Sequence, residues 1–174
     1  MNGNEILTIR SREEGGRSTI SGAKRTEAIS YAINCLEPSF IDIEISTLRR
    51  YPFLLRDLER SRTKLIASFH DLSGKYDVKR LRKTLLSVPK TKSLFATKIV
   101  CLAKKTEDNL KILDLYSFNK EKSKLVAFCT GKFGVPSRIL CLRLGAPYSY
   151  VSLPNEPVAE GQLDIVTMNK IVRT

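Results

Sequence analysis

The sequence lacks several features on which common classes of protein depend. Its 174 residues include no tryptophan and one histidine. No apolar run approaches the ~18–20 residues that a membrane-spanning helix needs. The opening Met-Asn-Gly-Asn-Glu has no basic segment followed by an apolar stretch, so it does not resemble a signal peptide. We therefore expect a cytoplasmic protein without membrane insertion.

Cysteine is scarce and scattered. Cys35, Cys101, Cys129 and Cys141 lie far apart and form no Cys-x-x-Cys pair. The last three stand among apolar neighbours, which predicts buried, reduced thiols in preference to disulfides or metal ligands. His70 is the lone histidine, so we expect no zinc site and no other bound metal.

The charge allows two interpretations. Thirty Lys and Arg against 18 Asp and Glu give a net charge of +12, which is typical of nucleic-acid-binding proteins. The basic residues are spread along the chain, however, and no aromatic RNA-binding motif accompanies them. We favour solvated helix faces with a preference for a small anionic ligand and expect no nucleic-acid partner. A basic nucleic-acid-binding module remains the alternative.

Short apolar runs alternate with amphipathic segments, which favours a parallel sheet covered by helices. Strands are predicted over Ile6–Ser11, Phe40–Ser46, Lys64–Asp71, Leu94–Ala103, Lys124–Thr130 and Tyr148–Leu153. Helices are predicted over Thr26–Leu36, Pro52–Arg60, Asp77–Val88, Thr106–Tyr116, Pro136–Leu144 and Leu163–Val172, with Thr26, Asp77 and Thr106 as N-caps. The connections are short, so we expect one domain over residues 1–174.

Six strand–helix units fit either a doubly wound sheet or part of a (β/α)8 barrel. Polar residues near the carboxyl ends of successive strands favour the barrel, whose active sites lie at that end. Asp42 and Glu44, for example, share one face of their strand by its period of two. The sequence has no Gly-x-Gly-x-x-Gly turn of the kind that marks a dinucleotide-binding sheet.

Two strand residues carry reactive groups. Lys98 lies in the middle of the apolar run Leu94–Ala103, and a buried ammonium must either shift its pKa or find a partner. It is either a desolvated lysine suited to Schiff-base chemistry or a structural lysine that is paired or directed outward. His70 ends the apolar run Lys64–Asp71 and is either a structural histidine or a general base.

Three loops carry further candidates. Arg10 and Glu14 precede a Gly-Gly turn, either as a surface loop or as an anion-binding arginine with an orienting carboxylate. A Gly-x-x-Gly loop leads into the helix that contains Arg138, and such turns favour anions. Gln162 follows Gly161 in the loop before the last helix.

Together these segments resemble type I 3-dehydroquinate dehydratase, a (β/α)8-barrel enzyme of the shikimate pathway. In chain order they are Thr8-Ile-Arg-Ser-x-x-Glu-Gly-Gly16, Phe40-Ile-Asp-Ile-Glu-Ile45, Ser68-Phe-His-Asp71, Thr97-Lys-Ile99, Gly131-x-x-Gly-x-x-Ser-Arg138 and Gly161-Gln162. Each motif alone is weak, but their order and spacing over essentially the whole chain match the family's pattern.

The resemblance implies a dehydration chemistry for three residues. Lys98 would form an iminium with the C3 ketone of 3-dehydroquinate, which acidifies the hydrogen on C2. His70 would remove that proton and then assist departure of the C1 hydroxyl as water. Glu14 would orient and tune His70. The product would be 3-dehydroshikimate.

The resemblance also implies a substrate-binding set. Arg138 would bind the C1 carboxylate, while Arg10 and Gln162 would hold ring hydroxyls or close a lid. No metal or organic cofactor is implied. A class I aldolase is the nearest enzymatic alternative, since it also forms an iminium on lysine.

The chain departs from the family pattern in its loops and its extent. Val158 and Glu160 stand where the family has serine and proline, which predicts weaker contacts of the lid. The resemblance begins at the family's third strand, so we expect an incomplete barrel of six units, strands three to eight. The absent units would be encoded upstream, supplied by another chain, or lacking in a relic that covers its edges as a homodimer. A catalytically impaired relic or a partner-dependent fragment therefore remains an alternative.

Overall fold

A computed structural model describes residues 5–17, 19–20, 22–119 and 123–173. The described strands are β1 Ile6–Thr8, β2 Phe40–Glu44, β3 Lys64–Asp71, β4 Leu94–Leu102 and β5 Leu125–Thr130. The described α-helices are α1 Gly22–Tyr31, α2 Ile45–Arg50, α3 Phe53–Arg60, α4 Val78–Leu86, α5 Asp108–Phe118, α6 Val135–Arg143 and α7 Ile165–Arg173. A 3₁₀ turn spans Arg12–Glu14, and a π-helical turn, Ala32–Leu36, follows α1.

The chain divides into two compact units. The first comprises Met1–His70 with Ser87–Thr97, and the second comprises Asp71–Leu86 with Lys98–Thr174. The strands are hydrogen-bonded in chain order from β1 to β5. The prediction of one domain over the whole chain stays a prediction.

In the first unit, β1, β2 and β3 pair in parallel. Ile6 lies opposite Phe40, which in turn lies opposite Lys64. Strand β2 is buried on both faces, and its residues alternate in character. Ile41 and Ile43 join an apolar core with residues of α1, α2 and α3, whereas Asp42 and Glu44 occupy the opposite face. Burial on both faces is typical of parallel sheets, and here one buried face is charged.

In the second unit, the carboxyl end of β4 lies beside β5. The Ala103 N–H donates a 3.0 Å hydrogen bond to the Thr130 carbonyl where the two strands end. Val100 and Phe128 pack with the rings of Tyr148 and Tyr150. The predicted burial of three thiols is confirmed, because Cys101, Cys129 and Cys141 are buried and free, while Cys35 is exposed.

The predicted sixth strand, Tyr148–Leu153, is wrong. The segment forms only an isolated parallel bridge between Ser152 and Asp164. Its backbone groups are used by the turn that opens α7, since the Ser152 N–H donates to the Leu163 carbonyl and its own carbonyl accepts from the Ile165 N–H. The rings of Tyr148 and Tyr150 in this segment pack onto residues of β4 and β5.

The helices confirm some predicted boundaries and correct others. Asp77 caps α4 as predicted, since its carboxylate accepts from the Arg80 N–H at 2.7 Å. Thr26 is not an N-cap, because α1 begins four residues earlier and the Thr26 hydroxyl donates to the Gly22 carbonyl within the helix. Thr106 is not the N-cap of α5, which begins at Asp108. Helix α2 was not predicted.

Candidate active site

A buried polar cluster in the first unit lies on the charged face of β2. Asp42 is 3% exposed and Glu44 is 1% exposed. Arg10 follows β1. Its Nη2 donates a hydrogen bond to Asp42 Oδ1 and its Nη1 donates one to the Ser68 hydroxyl, each at 2.7 Å. The Ser68 hydroxyl also donates to Asp42. The side chain of Arg10 is therefore held in one orientation by residues of two neighbouring strands.

Glu44 is hydrogen-bonded on both of its carboxylate oxygens. Its Oε1 accepts from the Ser11 N–H at 2.8 Å and lies 3.3 Å from Arg10 Nη1. Its Oε2 accepts from Arg25 Nη1 and from the Thr47 hydroxyl, each at 2.9 Å. Burial alone would raise the pKa of Glu44, but the Ser11 hydrogen bond and the two guanidinium groups hold that pKa below its usual value.

Glu14 is brought to the cluster by the 3₁₀ turn after β1. Its Oε2 accepts from the His70 N–H at 2.8 Å and lies 3.1 Å from His70 Nδ1, while its Oε1 accepts from the Ser46 hydroxyl at 3.3 Å. Burial, followed by the negative charge of Glu44, raises the pKa of Glu14 to about 7. An ionised Glu14 accepts a hydrogen bond from Nδ1–H, which leaves Nε2 of a neutral His70 as the basic nitrogen.

Lys98 lies in the second unit, in the middle of β4. It is 8% exposed, which argues against the alternative of a lysine directed outward. The Nζ atom lies 4.5 Å from the centre of the Tyr150 ring, which itself packs against Tyr148 and Phe128. An aromatic face attracts a cation in such a position.

Arg138 lies on α6 and is 2% exposed. Its Nη2 donates to the Thr130 hydroxyl at 3.2 Å, and its guanidinium lies 4.6 Å from the centre of the Phe128 ring. Within the described part of the chain, Arg138 Nε has no hydrogen-bond partner and the guanidinium makes no ion pair with a carboxylate. Burial lowers the pKa of Arg138. A buried guanidinium in these surroundings is suited to an anionic group with a forked geometry.

Gln162 lies in a loop that is hydrogen-bonded to the end of β5 and the turn after it. Its Oε1 accepts from the Val158 N–H at 3.0 Å. The Gly131 N–H donates to the Glu160 carbonyl at 3.1 Å, and the Thr130 hydroxyl donates to the same carbonyl. Gly161 has φ +73° and passes so close to Gly131 that an added Cβ would lie 2.2 Å from the Gly131 carbonyl oxygen.

The structure thus collects the predicted residues into two groups. Arg10, Glu14 and His70 meet in the first unit. In the second unit, Lys98 and Arg138 contact two rings that touch each other, those of Tyr150 and Phe128. Gln162 belongs to the loop that is hydrogen-bonded to Thr130 and Gly131.

Sequence reasoning missed two residues of these groups. Arg25 lies just before the predicted start of its helix, so its position carried no helical pattern that would mark it as buried. Tyr150 was assigned to a strand on its apolar periodicity. A charged residue on the apolar face of the correct helix, Gly22–Tyr31, would have been the signal for Arg25.

The described residues lack two kinds of feature, a cluster of metal ligands and a membrane-spanning helix. They contain no group of three or more His, Cys, Asp or Glu side chains able to hold a metal ion. None of the helices they form has the length and apolar character needed to cross a membrane.

These features define a class: a parallel βα protein with buried polar and ionisable side chains on its strands and on the turns and helices that follow them. The model of the family described as "Type I 3-dehydroquinase" matches residues 4–174. The chain belongs to this family. The match confirms the resemblance that was stated from the sequence motifs.

Relatives with assigned names agree with the family. A 3-dehydroquinate dehydratase of Methanococcus maripaludis is 33% identical over 168 residues, which make up 96% of this chain and 75% of the relative. Another, from Thermococcus gammatolerans, is 32% identical over 167 residues, with 96% of this chain and 75% of the relative covered. These names denote a hydro-lyase, the enzyme class predicted from the sequence.

Solved structures agree with the fold. The 3-dehydroquinate dehydratase of Geobacillus kaustophilus superposes with a TM-score of 0.86 at 20% identity, covering 97% of this chain and 66% of that one. That of Aquifex aeolicus gives 0.76 at 26% identity, covering 97% and 72%. The predicted barrel-type α/β class is confirmed, with five strands in the described residues where six were expected.

Proposed function

We propose that this chain dehydrates 3-dehydroquinate to 3-dehydroshikimate through a Schiff base on Lys98, as a hydro-lyase of the shikimate pathway. The observation that carries the proposal is the position of Lys98, a buried lysine inside a parallel strand with an aromatic ring against its ammonium. Family membership and the Glu14–His70 pair support it.

The proposed reaction begins with attack of the neutral Lys98 amine on the C3 carbonyl. Loss of water from the carbinolamine gives an iminium, whose positive nitrogen withdraws electrons from the neighbouring C2–H bond. His70 removes the C2 proton, and the electron pair of that bond forms an enamine. The enamine then expels the C1 hydroxyl, which takes a proton from His70 and leaves as water. Hydrolysis of the new iminium releases the product and restores Lys98.

The remaining residues act on position and charge. Glu14 accepts a hydrogen bond from the Nδ1–H of His70 and stabilises the imidazolium formed during the reaction. Arg138 binds the C1 carboxylate, which supplies the anion that its buried guanidinium lacks within the described residues. Arg10 and Gln162 contact ring hydroxyls or close the site. The scheme uses no metal and no organic cofactor.

The test is reductive trapping. The chain is mixed with 3-dehydroquinate and borohydride, and its intact mass is measured. We expect one adduct, which corresponds to ligand minus one water plus two hydrogen atoms, with Lys98 identified by peptide mapping. Lys98→Met should abolish the adduct. The matched control Lys64→Met, which changes an exposed lysine on β3, should retain it.

Other outcomes discriminate between functions. An adduct that persists in Lys98→Met would contradict the proposal, and no adduct on a folded chain would favour a catalytically impaired relic. Arg138→Met should still be trapped, but only at a much higher ligand concentration. Trapping by a simple aldehyde donor in preference to 3-dehydroquinate would point to an aldolase.

Three sequence predictions extend the proposal. We propose a homodimer as the functional form, a small anionic molecule and not a nucleic acid as the ligand, and the cytoplasm as the location. The net charge of +12 supports attraction of an anionic substrate.

A further inference from the structure

Arg25 has a buried guanidinium that is hydrogen-bonded through both of its Nη atoms. It lies on α1 and is 6% exposed. Its Nη1 donates to the Ile9 carbonyl at 2.7 Å and to Glu44 Oε2 at 2.9 Å, and its Nη2 donates to the Thr47 hydroxyl at 2.5 Å. Burying a guanidinium is costly unless it is paired and hydrogen-bonded, and these contacts meet both conditions.

The partner of Arg25 links it to the rest of the cluster. Glu44 is shared between Arg25 on one oxygen and Arg10 with the Ser11 N–H on the other. Arg10 is itself shared, because it also pairs with Asp42 at 2.7 Å and lies 4.0 Å from Glu14. Without Arg25, Arg10 would be the one cation among the described residues that forms an ion pair with Glu44.

The charged and titratable groups that face Glu14 in this unit come from three places. Arg10 lies on the same loop, Glu44 is on β2, and His70 is on β3, while Ser46 of α2 contributes a hydroxyl. Asp42 acts at one remove, through Arg10. Three carboxylates thus share two guanidinium groups, so the loss of one cation must favour the protonated form of a carboxyl.

We propose that Arg25 is a positioning residue that neutralises Glu44, leaves Arg10 shared among the other carboxylates, and so keeps Glu14 able to ionise beside His70. In this proposal Arg25 acts on Glu14 through Glu44 and Arg10. The inference rests on the proposed function only in its consequence for the rate, because the charge state of Glu14 is measurable without substrate.

The direction of the effect follows from electrostatics. The pKa of Glu14 is already raised to about 7 by burial and by the charge of Glu44. Removing the Arg25 cation leaves Glu44 less well neutralised and draws Arg10 away from Glu14, so the pKa of Glu14 rises further. Removing the charge of Glu44 has the opposite effect. The two changes therefore shift one titration in opposite directions, which a general loss of stability does not do.

The experiment follows the carboxyl group of Glu14 itself. The side-chain carboxyl carbons of glutamate-labelled chains are followed by NMR against pH in the absence of ligand, the Glu14 signal is assigned as the one lost in Glu14→Gln, and its ionisation gives an inflection in its shift. We expect Arg25→Met to move that inflection up by about one pH unit, Glu44→Gln to move it down by about one, and Arg25→Lys to change it little. The matched control Arg82→Met removes a surface arginine that pairs with Asp114 through two hydrogen bonds, and it should change nothing.

The outcomes are decisive whether or not the chain proves active. An unchanged inflection in folded Arg25→Met overturns the inference. If that variant does not fold, Glu44→Gln is compared with the double variant Arg25→Met/Glu44→Gln, which replaces the buried pair by neutral groups. With Glu44 neutral, Arg25 has no charge left to neutralise, so the inflection of the double variant should coincide with that of Glu44→Gln, below that of the parent chain. An inflection of the double variant at or above that of the parent chain also overturns the inference. If trapping on Lys98 succeeds, the acidic limb of the kcat profile should move up in Arg25→Met with little change in KM.

Discussion

At the residue scale, Glu14 shows how neighbours set the chemistry of a common side chain. The neighbouring Glu13 is exposed to solvent, whereas Glu14 is buried near His70, Arg10 and Glu44. The 3₁₀ turn directs consecutive residues to opposite environments. One carboxylate is solvated, and the other has a pKa of about 7, near the pH at which a cell works.

The raised pKa of Glu14 predicts a pH-dependent stability. Between its ordinary pKa of 4.5 and about 7, the folded chain binds a proton that the unfolded chain has released. Its contribution to stability is therefore fully present below pH 4.5 and is lost as the pH rises to about 7. We expect the unfolding free energy to fall over this window by up to about 3 kcal/mol on account of Glu14.

Urea unfolding at a series of pH values measures this effect. Glu14→Gln should flatten the slope between pH 4.5 and 7 relative to the parent chain, whereas Glu13→Gln, in the same turn, should leave the slope unchanged. Equal slopes in all three proteins would show that Glu14 titrates at its ordinary pKa.

At the element scale, two strand-to-helix turns use the same device. The turns after β1 and β5 each contain a glycine packed onto a backbone carbonyl at or just beyond the end of the preceding strand. A Cβ on Gly16 would lie 2.1 Å from the Arg10 carbonyl oxygen, and one on Gly134 would lie 2.4 Å from that of Cys129. These turns position Arg10 and Glu14 in one unit and Thr130 and Arg138 in the other. The glycines are therefore part of how the site residues are placed.

The close approach at Gly16 predicts a large effect of one methyl group. Gly16→Ala must displace the backbone of Arg10 or Ser11, since all three nearest atoms are backbone atoms. We expect a loss of at least ~2 kcal/mol in unfolding free energy. Gly22→Ala is the control, because its Cβ would meet only the Tyr51 hydroxyl at 3.9 Å at the start of α1. Alanine should be neutral or stabilising there. Equal effects of the two variants would contradict the packing argument.

At the scale of the whole molecule, the net charge governs association. Each copy of the chain carries +12, so two copies repel each other at low ionic strength. If the functional form is a homodimer, added salt should screen this repulsion and favour the dimer. Binding to a nucleic acid would show the opposite dependence.

Light scattering during size-exclusion chromatography tests the homodimer. We expect a mass of twice the 19.6 kDa chain at moderate and high salt, with partial dissociation when salt is removed. A mass of one chain at all salt concentrations would contradict the homodimer. Retention of nucleic acid that disappears at high salt would support the alternative of a nucleic-acid-binding module.

Local pattern was sufficient for much of the fold and site. Strand β3 has the predicted bounds, and Asp77 is the predicted cap of α4. Lys98 was expected inside an apolar strand, and it is buried there. These features depend on residues near in sequence, where hydrophobic period and capping chemistry act directly.

Other features were decided only by the tertiary structure. Tyr148–Leu153 has the composition of a strand, but its hydrogen bonds go to the start of α7. The burial of Arg25 depends on Glu44, 19 positions away, and the placement of Glu14 depends on His70, 56 positions away. The sequence by itself determined which segments are apolar and which side chains could react. Only the folded chain decided which of those side chains share charge, because the cost of burying a charge is set by the groups that meet it in space.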